Sequence, residues 1–163
     1  RPRKVQCGGV GIYAVFRVRL ALPLARRRLI DGVTGRPVPH LDVEAIRRPS
    51  YVPPGYRFRY DQPGTGAFPE FPFPPVTSRD RVSSTEVFGT SDDRWLFITQ
   101  QPVVPVRWPA GFKARSVTVH EDPATAAAGR LLTWNQDGLR FTVTAAPALP
   151  LSELLAIANS IRR

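Results

Sequence analysis

One short stretch of this sequence brings together side chains that can bind a metal or transfer a proton. His120, Glu121 and Asp122 are adjacent, and an imidazole beside two carboxylates can act in acid–base chemistry or ligate a divalent cation. A metal site in a protein usually needs three or four converging ligands, however, and His40 is the only other histidine. The pattern therefore favours a histidine at the end of a strand, followed by a solvated acidic turn, over a metal centre.

The other residues with catalytic potential lack the context that their chemistry needs. Asp92 and Asp93 directly precede a predicted strand, where a turn is favoured over the paired carboxylates of a glycosidase. Ser83 and Ser84 lack the Gly-x-Ser-x-Gly surroundings of a hydrolase nucleophile, and the sequence contains no glycine-rich phosphate loop followed by a helix. The sequence therefore predicts a non-enzymatic protein that uses no cofactor.

Residues 133–143, TWNQDGLRFTV, hold the densest group of polar and aromatic side chains. With Asp137 and Gly138 as the two central residues of a type I′ turn, the strands align in one register. The predicted pairs are Gln136 with Leu139, Asn135 with Arg140, Trp134 with Phe141, Thr133 with Thr142, and Leu132 with Val143. Apolar and polar pairs then fall on opposite faces, so this stretch is predicted to be a β-hairpin and not a reactive site.

The remaining periodicities predict the elements around this hairpin. Alternation indicates strands at Tyr56–Tyr60, Ser84–Phe88, Trp95–Gln100 and Arg115–His120, and the last residues form a helix with Ser152 as its N-cap. The apolar stripe of this helix consists of Leu151, Leu154, Leu155, Ala158 and Ile161. The predicted fold is α+β: a twisted antiparallel sheet of about five or six short strands with the C-terminal helix packed on one face.

The segment from Tyr56 to Tyr60 alternates aromatic residues with Arg57 and Arg59. This resembles a base-stacking platform, but a flat strand would place the arginines on the face opposite the aromatic rings. We therefore predict aromatic side chains in the core and arginines in solvent.

Charge divides the chain into two parts. The net charge is +10, yet residues 1–40 hold nine basic residues and one acid, whereas residues 41–163 are nearly balanced. The sequence thus predicts a basic N-terminal arm, or a juxtamembrane or fragment segment, at 1–40 and a single domain at 41–163. Within the arm, the alternation of residues 9–20 fits a strand or an interfacial segment. Cys7 is the only cysteine, so no intramolecular disulfide can form.

The 18 prolines predict long irregular connections between short strands. Two of these connections combine proline with large aromatic residues: residues 62–76, with Phe68, Phe71 and Phe73, and residues 101–111, with Trp108. Such aromatic residues either anchor a loop on its own core or offer a surface to a partner. These four aromatic residues are the candidate partner-binding residues.

Five segments together resemble an uncharacterised family of extracytoplasmic bacterial domains. They are Pro49–Tyr56, Leu96–Gln100, Val117–Val119, Leu132–Trp134 leading to Gly138 and Phe141, and Leu151–Ile161. The similarity covers residues 49–161, and its most specific parts are the Pro-x-Gly-Tyr motif, the tryptophan strand and the final helix. Two features depart from the family: His120 occupies a position where members usually carry glycine, and residues 1–40 have no counterpart.

The resemblance implies a location and a role. Members of this family commonly follow a membrane-spanning helix in anti-sigma-factor-like proteins, or belong to lipoproteins. We therefore expect an extracytoplasmic sensing or binding domain in the cell envelope, with a membrane anchor upstream of residue 1. Its expected partner is another envelope protein or a small ligand. The alternative is a basic nucleic-acid-binding protein that acts through the N-terminal arm.

Overall fold

A computed structural model of the chain describes residues 19–22, 28–38, 40–41, 43–64, 83–103, 108, 113–127 and 130–162. Seven strands and one α-helix follow a short 3-10 helix at Val43–Ala45. The strands are β1 (Arg57–Gly64), β2 (Ser83–Gly89), β3 (Trp95–Pro102), β4 (Arg115–Val119), β5 (Asp122–Ala127), β6 (Leu131–Gln136) and β7 (Leu139–Ala146). The helix α1 spans Leu151–Ser160.

All seven strands belong to one sheet, in the order β1-β2-β3-β7-β6-β5-β4, and each neighbouring pair is antiparallel. Two meanders, β1 to β3 and β4 to β7, meet where β3 pairs with β7. The connection from β3 to β4 therefore carries the chain to the opposite edge of the sheet. The predicted antiparallel sheet with one C-terminal helix is confirmed, with seven strands where about five or six were expected.

The additional strand is β5, whose sequence is DPATAA. Alanine and proline are poor strand formers, and Pro123 lacks the N–H group that a strand interior needs. Pairing of β5 with β6 begins only at Ala124, so Pro123 lies at the end of the strand. Asp122, predicted to be part of an acidic turn, is instead the first residue of this strand.

The predicted hairpin has the expected register at each of its five pairs. Asp137 and Gly138 both have positive φ, at 51° and 77°, which is the backbone conformation of a type I′ turn. The rings of Trp134 and Phe141 stack with centroids 5.1 Å apart, and Arg140 donates a 3.1 Å hydrogen bond to Asn135. The turn and the alternation of residue types therefore determine this part of the sheet locally.

Helix α1 packs on β4, β6 and β7, and we call the side of the sheet that it covers the helix face. Leu154, Ala158 and Ile161 of the predicted stripe are fully buried, together with Ile157, which the stripe omitted. Ser152 is not the N-cap: that position belongs to Pro150, two residues earlier, and no side chain among the described residues caps the helix. The described residues contain no helix long and apolar enough to cross a membrane.

The opposite face carries a row of hydroxyl groups that crosses six strands in register. The row consists of Thr85, Thr99, Thr142, Thr133, Thr125 and Ser116. Neighbouring hydroxyls within it bond directly, at 3.0 Å between Thr85 and Thr99 and at 3.2 Å between Thr133 and Thr142. Such cross-strand pairs stabilise an antiparallel sheet.

Candidate functional site

The segment before β1, residues 43–56, lies across the sheet and the helix, and we call it the strap. Its first firm attachment is the side chain of Gln100 on β3, which is completely buried. The Gln100 amide accepts a 2.8 Å hydrogen bond from the Arg47 N–H and donates a 2.6 Å hydrogen bond to the Arg47 carbonyl. A side chain thus satisfies the backbone as a neighbouring strand would.

A second attachment joins the next strap residue to a carboxylate on β2. Glu86 is only 2% exposed, and its Oε1 lies 3.0 Å from Nε of Arg48. Asp61, the register partner of Glu86 on β1, has its Oδ2 3.5 Å from Nη2 of the same arginine. The guanidinium also lies over the ring of Phe58, with Cζ 6.0 Å from the ring centroid. The Arg48 guanidinium therefore contacts two carboxylates and an aromatic ring.

The environment of Glu86 is electrostatically unusual. Burial raises the pKa of this carboxyl to about 7, while the Arg48 guanidinium acts to lower the pKa and the Asp61 carboxylate to raise it further. Its Oε2 is also buried, and no hydrogen-bond partner for it occurs among the residues that the structure describes. A buried group with a strongly perturbed pKa and an unsatisfied atom often marks a functional site. We therefore treat Glu86, Asp61, Arg48 and Phe58 as the candidate site.

The strap continues from this site to the C-terminal end of the helix. Pro49 forms a bridge with Ile161, and the Ser50 N–H donates a 3.2 Å hydrogen bond to the Ser160 carbonyl. The Tyr51 N–H donates to Oγ of Ser160 at 3.1 Å, and the Tyr51 hydroxyl donates to Glu153 at 2.8 Å. The strap is thus held both by the sheet and by the helix.

Of the predicted acidic group, His120 and Glu121 form the turn between β4 and β5, and Asp122 begins β5. His120 and Glu121 both have positive φ, at 49° and 70°, in a two-residue turn without glycine. The imidazole Nε2 donates a 3.0 Å hydrogen bond to the Ile161 carbonyl, and the His120 N–H donates at 3.0 Å to Asn159. Within the described ranges, no group of three or more histidine, cysteine or acidic residues could hold a metal ion. His120 here connects a turn to the helix end.

The other acidic pair, Asp92 and Asp93, lies in the turn between β2 and β3, as predicted. Asp92 accepts hydrogen bonds from the Thr90 hydroxyl and from the Arg94 guanidinium. The hydrogen bond from Thr90 is the main cause that lowers the pKa of Asp92. These contacts are typical of a turn that caps its own polar groups.

Only one of the four predicted partner-binding aromatic residues is among the residues that the structure describes. Phe68, Phe71 and Phe73 lie outside the described residues. Trp108 is described and is partly buried. Their role in binding therefore stays a prediction.

The prediction that the aromatic residues of the segment Tyr56–Tyr60 lie in the core is correct for one residue of three. Tyr56 is buried, but Phe58 and Tyr60 are 50% and 48% exposed. The register with β2 shifts between these two residues, where Arg59 is an extra residue in a β-bulge. The predicted flat alternation is therefore wrong here, while Arg57 and Arg59 are exposed as expected.

Sequence reasoning did not find Glu86, Gln100 or Arg48. The available signal was the alternation of side chains along a strand. By this alternation, Glu86 and Gln100 lie on the same face of the sheet as Phe88 and Ile98. A polar residue at an apolar position of a strand can indicate a buried partner. That partner is the strap, more than thirty residues away in sequence, so alternation alone could not identify it.

Comparison of the chain with models of known protein families and with curated proteins found no match.

Proposed function

We propose that this chain is a non-enzymatic sensing or binding domain of a bacterial cell envelope, carried by a membrane-anchored protein or a lipoprotein of the anti-sigma-factor type. One observation carries the proposal: two of the segments on which the family resemblance rests, Pro49–Tyr56 and Leu151–Ile161, bond to each other. Pro49, Ser50 and Tyr51 of the strap bond to Ser160 and Ile161 at the helix end. His120, which follows strand β4 and is itself a departure from the family, bonds to the same helix end.

This convergence supports the proposal because the motif residues form one structural unit. The strap also joins the N-terminal arm to the sheet and the helix.

The proposed partner is an envelope protein or a small ligand. Exposed aromatic side chains are the usual anchors of such contacts. Phe58 and Tyr60 on β1 meet this description, at 50% and 48% exposure. The two proline-aromatic connections, with Phe68, Phe71, Phe73 and Trp108, are the other proposed contact surface.

Cysteine labelling in intact cells tests the proposed location. Cys7 is changed to serine and the exposed Ser152 of α1 to cysteine in the full natural reading frame, so that position 152 carries this chain's only thiol. A membrane-impermeant maleimide should then label position 152 before the cells are broken, with the C7S protein as the unlabelled control. Labelling only after lysis would contradict an extracytoplasmic domain.

The second candidate is nucleic-acid binding through the N-terminal arm, which the charge of residues 1–40 favours. Binding of this kind weakens steeply with salt, and the slope falls when phosphate-contacting residues are removed. The test compares an Arg26, Arg27 and Arg28 to serine variant with an Arg57 and Arg59 to serine variant on one oligonucleotide. A smaller salt slope in the first variant alone would establish the arm as the binding element. Equal slopes in both variants and the wild type would reject it.

A further inference from the structure

We propose that Phe58, Asp61 and Glu86 form a recognition site for an arginine guanidinium, which Arg48 fills from within the chain and which an arginine of a partner protein fills in its place. This inference names the ligand chemistry of the binding domain proposed above and rests on that proposal for its biological role. The site itself is argued from contacts within the chain and can be tested on the purified protein.

The contacts of Arg48 display the chemistry that the site recognises. Nε lies 3.0 Å from Glu86 Oε1, Nη2 lies 3.5 Å from Asp61 Oδ2, and Cζ lies 6.0 Å from the centre of the Phe58 ring. Carboxylates that accept guanidinium N–H groups and an aromatic face beside the planar cation are the features by which proteins recognise arginine. Arg48 is thus an internal example of the proposed ligand.

The two carboxylates of the site can accept more hydrogen bonds than the Arg48 guanidinium donates to them. Asp61 and Glu86 are direct cross-strand neighbours, and a single guanidinium faces both of them. Glu86 Oε2 is buried and has no hydrogen-bond partner in the described part of the chain. A guanidinium carries five N–H donors in a fixed fork and can reach both oxygens of one carboxylate. A differently placed arginine can therefore satisfy the oxygen that Arg48 leaves without a donor.

Arg48 can leave the site without loss of the fold around it. Its side chain is 70% exposed, whereas that of Glu86 is only 2% exposed. The strap is held on either side of Arg48 by other contacts: Gln100 binds the backbone of Arg47, and Ser160 binds Ser50 and Tyr51. The recognising residues are therefore fixed by the sheet, while the occupant lies at the surface and is exchangeable.

The donor set favours an organic cation over a metal ion. The described residues contain no group of three or more histidine, cysteine or acidic side chains that could hold a metal, and Phe58 offers a ring face where a metal would need an oxygen ligand. An arginine on an extended partner segment fits this edge of the sheet, since its guanidinium can reach the carboxylates while its neighbours lie along β1.

Binding at this site should also depend on pH. Burial raises the pKa of Glu86 to about 7, so an arginine that binds the ionised carboxylate displaces a proton. Among the residues that the structure describes, the charged groups that face Glu86 are Arg48 from the strap and Asp61 from β1, while its register partner on β3 is the neutral Ile98. The arginine should therefore bind more tightly at about pH 8 than at about pH 6.

The test measures binding of the tripeptide acetyl-Gly-Arg-Gly-amide to the purified chain, with the uncharged acetyl-Gly-citrulline-Gly-amide as the matched probe. Arg48→Ala should bind the arginine peptide about tenfold or more tightly than the wild type does, because the internal occupant is gone. The citrulline peptide should show no saturable binding. Adding Glu86→Gln to Arg48→Ala should abolish binding of the arginine peptide.

Arg47→Ala is the matched control, since Gln100 holds the backbone of Arg47 and not its guanidinium, and it should behave as the wild type. Arg48→Lys keeps the positive charge but lacks the forked N–H donors of a guanidinium, and it replaces Arg48→Ala in the test if that variant does not fold. It should bind the arginine peptide more tightly than the wild type does. Equal affinity of wild type and Arg48 variants, or no saturable binding to them, would overturn the proposal and leave Arg48 as an internal tether only. Because the measurement uses the purified chain, its failure would not bear on the location of the domain in the cell.

Discussion

Gln100 and Arg47, 53 residues apart in sequence, exchange two hydrogen bonds between a buried side-chain amide and a main-chain peptide group. The glutamine acts as a one-residue strand that pairs with the strap. Together with the contact between Arg48 and Glu86, it joins the strap to the interior of the sheet.

Replacing Gln100 with methionine should lower the free energy of unfolding by about 1–3 kcal/mol, because both polar groups of Arg47 lose their partner while the volume of the side chain is nearly kept. Urea denaturation at neutral pH measures the difference. Gln101→Met is the matched control, since its side chain lies on the opposite face and is partly exposed. If the two variants were equally stable, the amide of Gln100 would not hold the strap.

Glu86→Gln should make the stability of the protein less dependent on pH. The folded carboxyl has a pKa of about 7 against an ordinary value of 4.5, so between these values the folded state binds more protons than the unfolded state. Stability contributed by this group is fully present below the ordinary value and is lost as pH rises through the folded pKa. The glutamine variant should therefore match the wild type near about pH 4 and exceed its stability by about 1–3 kcal/mol near about pH 8, after discounting for solvent around Arg48.

Chemical denaturation across this pH range checks the prediction, with Asp93→Asn as the control for an exposed carboxyl in a turn. Parallel profiles for Glu86→Gln and the wild type would show that Glu86 is solvated when the protein is folded.

In the turns between β4 and β5 and between β6 and β7, removing a Cβ atom should stabilise the protein and adding one should destabilise it. Glu121 has φ of 70°, so Glu121→Gly should raise the free energy of unfolding by about 0.5–1 kcal/mol as the left-handed conformation becomes unstrained. Gly138 has φ of 77°, and a Cβ atom there would have no atom of the described residues within 4 Å. Gly138→Ala should therefore lower the free energy of unfolding by about 1 kcal/mol, because alanine is strained in the left-handed backbone conformation. Thermal unfolding of both variants tests this, and a stabilising Gly138→Ala would contradict the assigned turn.

Asn159 should connect the helix end to the turn between β4 and β5. Its Oδ1 accepts a 3.0 Å hydrogen bond from the His120 N–H. Asn159→Ala should lower the free energy of unfolding by about 0.5–1.5 kcal/mol. Asn159→Asp keeps the hydrogen-bond acceptor and should lower it by less. Amide hydrogen exchange at His120 gives the local readout: it should be faster in the alanine variant. Unchanged exchange would mean that the turn holds its shape without the helix.

Local patterns were sufficient for some parts of this fold and not for others. The hairpin of β6 and β7 could be predicted pair by pair, because an Asp-Gly turn and strict alternation fix its register. Strand β5 could not, since DPATAA is composed of poor strand formers that tertiary pairing holds in place. The exposure of Phe58 and Tyr60 depends on a bulge at Arg59, which flat alternation does not reveal.

The candidate site was unpredictable for a related reason. Glu86 appears in the sequence as an ordinary polar residue of a strand, and its burial becomes evident only when the strap is seen beside it. Arg48 appears as one basic residue among 23 in the chain. Their contact joins residues that are distant in sequence, and no periodicity within either segment encodes it.

The contact between Arg48 and the buried carboxyl of Glu86 is tested by the pKa of Glu86, followed through the NMR shift of its carboxyl carbon in the purified chain. A buried carboxyl that shares one guanidinium with Asp61 should titrate with a midpoint near the value of about 7, and Arg48→Ala should raise that midpoint further because a stabilising positive charge is removed. A midpoint near the ordinary 4.5, unchanged by Arg48→Ala, would show a solvated side chain and would contradict both the junction and the proposed guanidinium site.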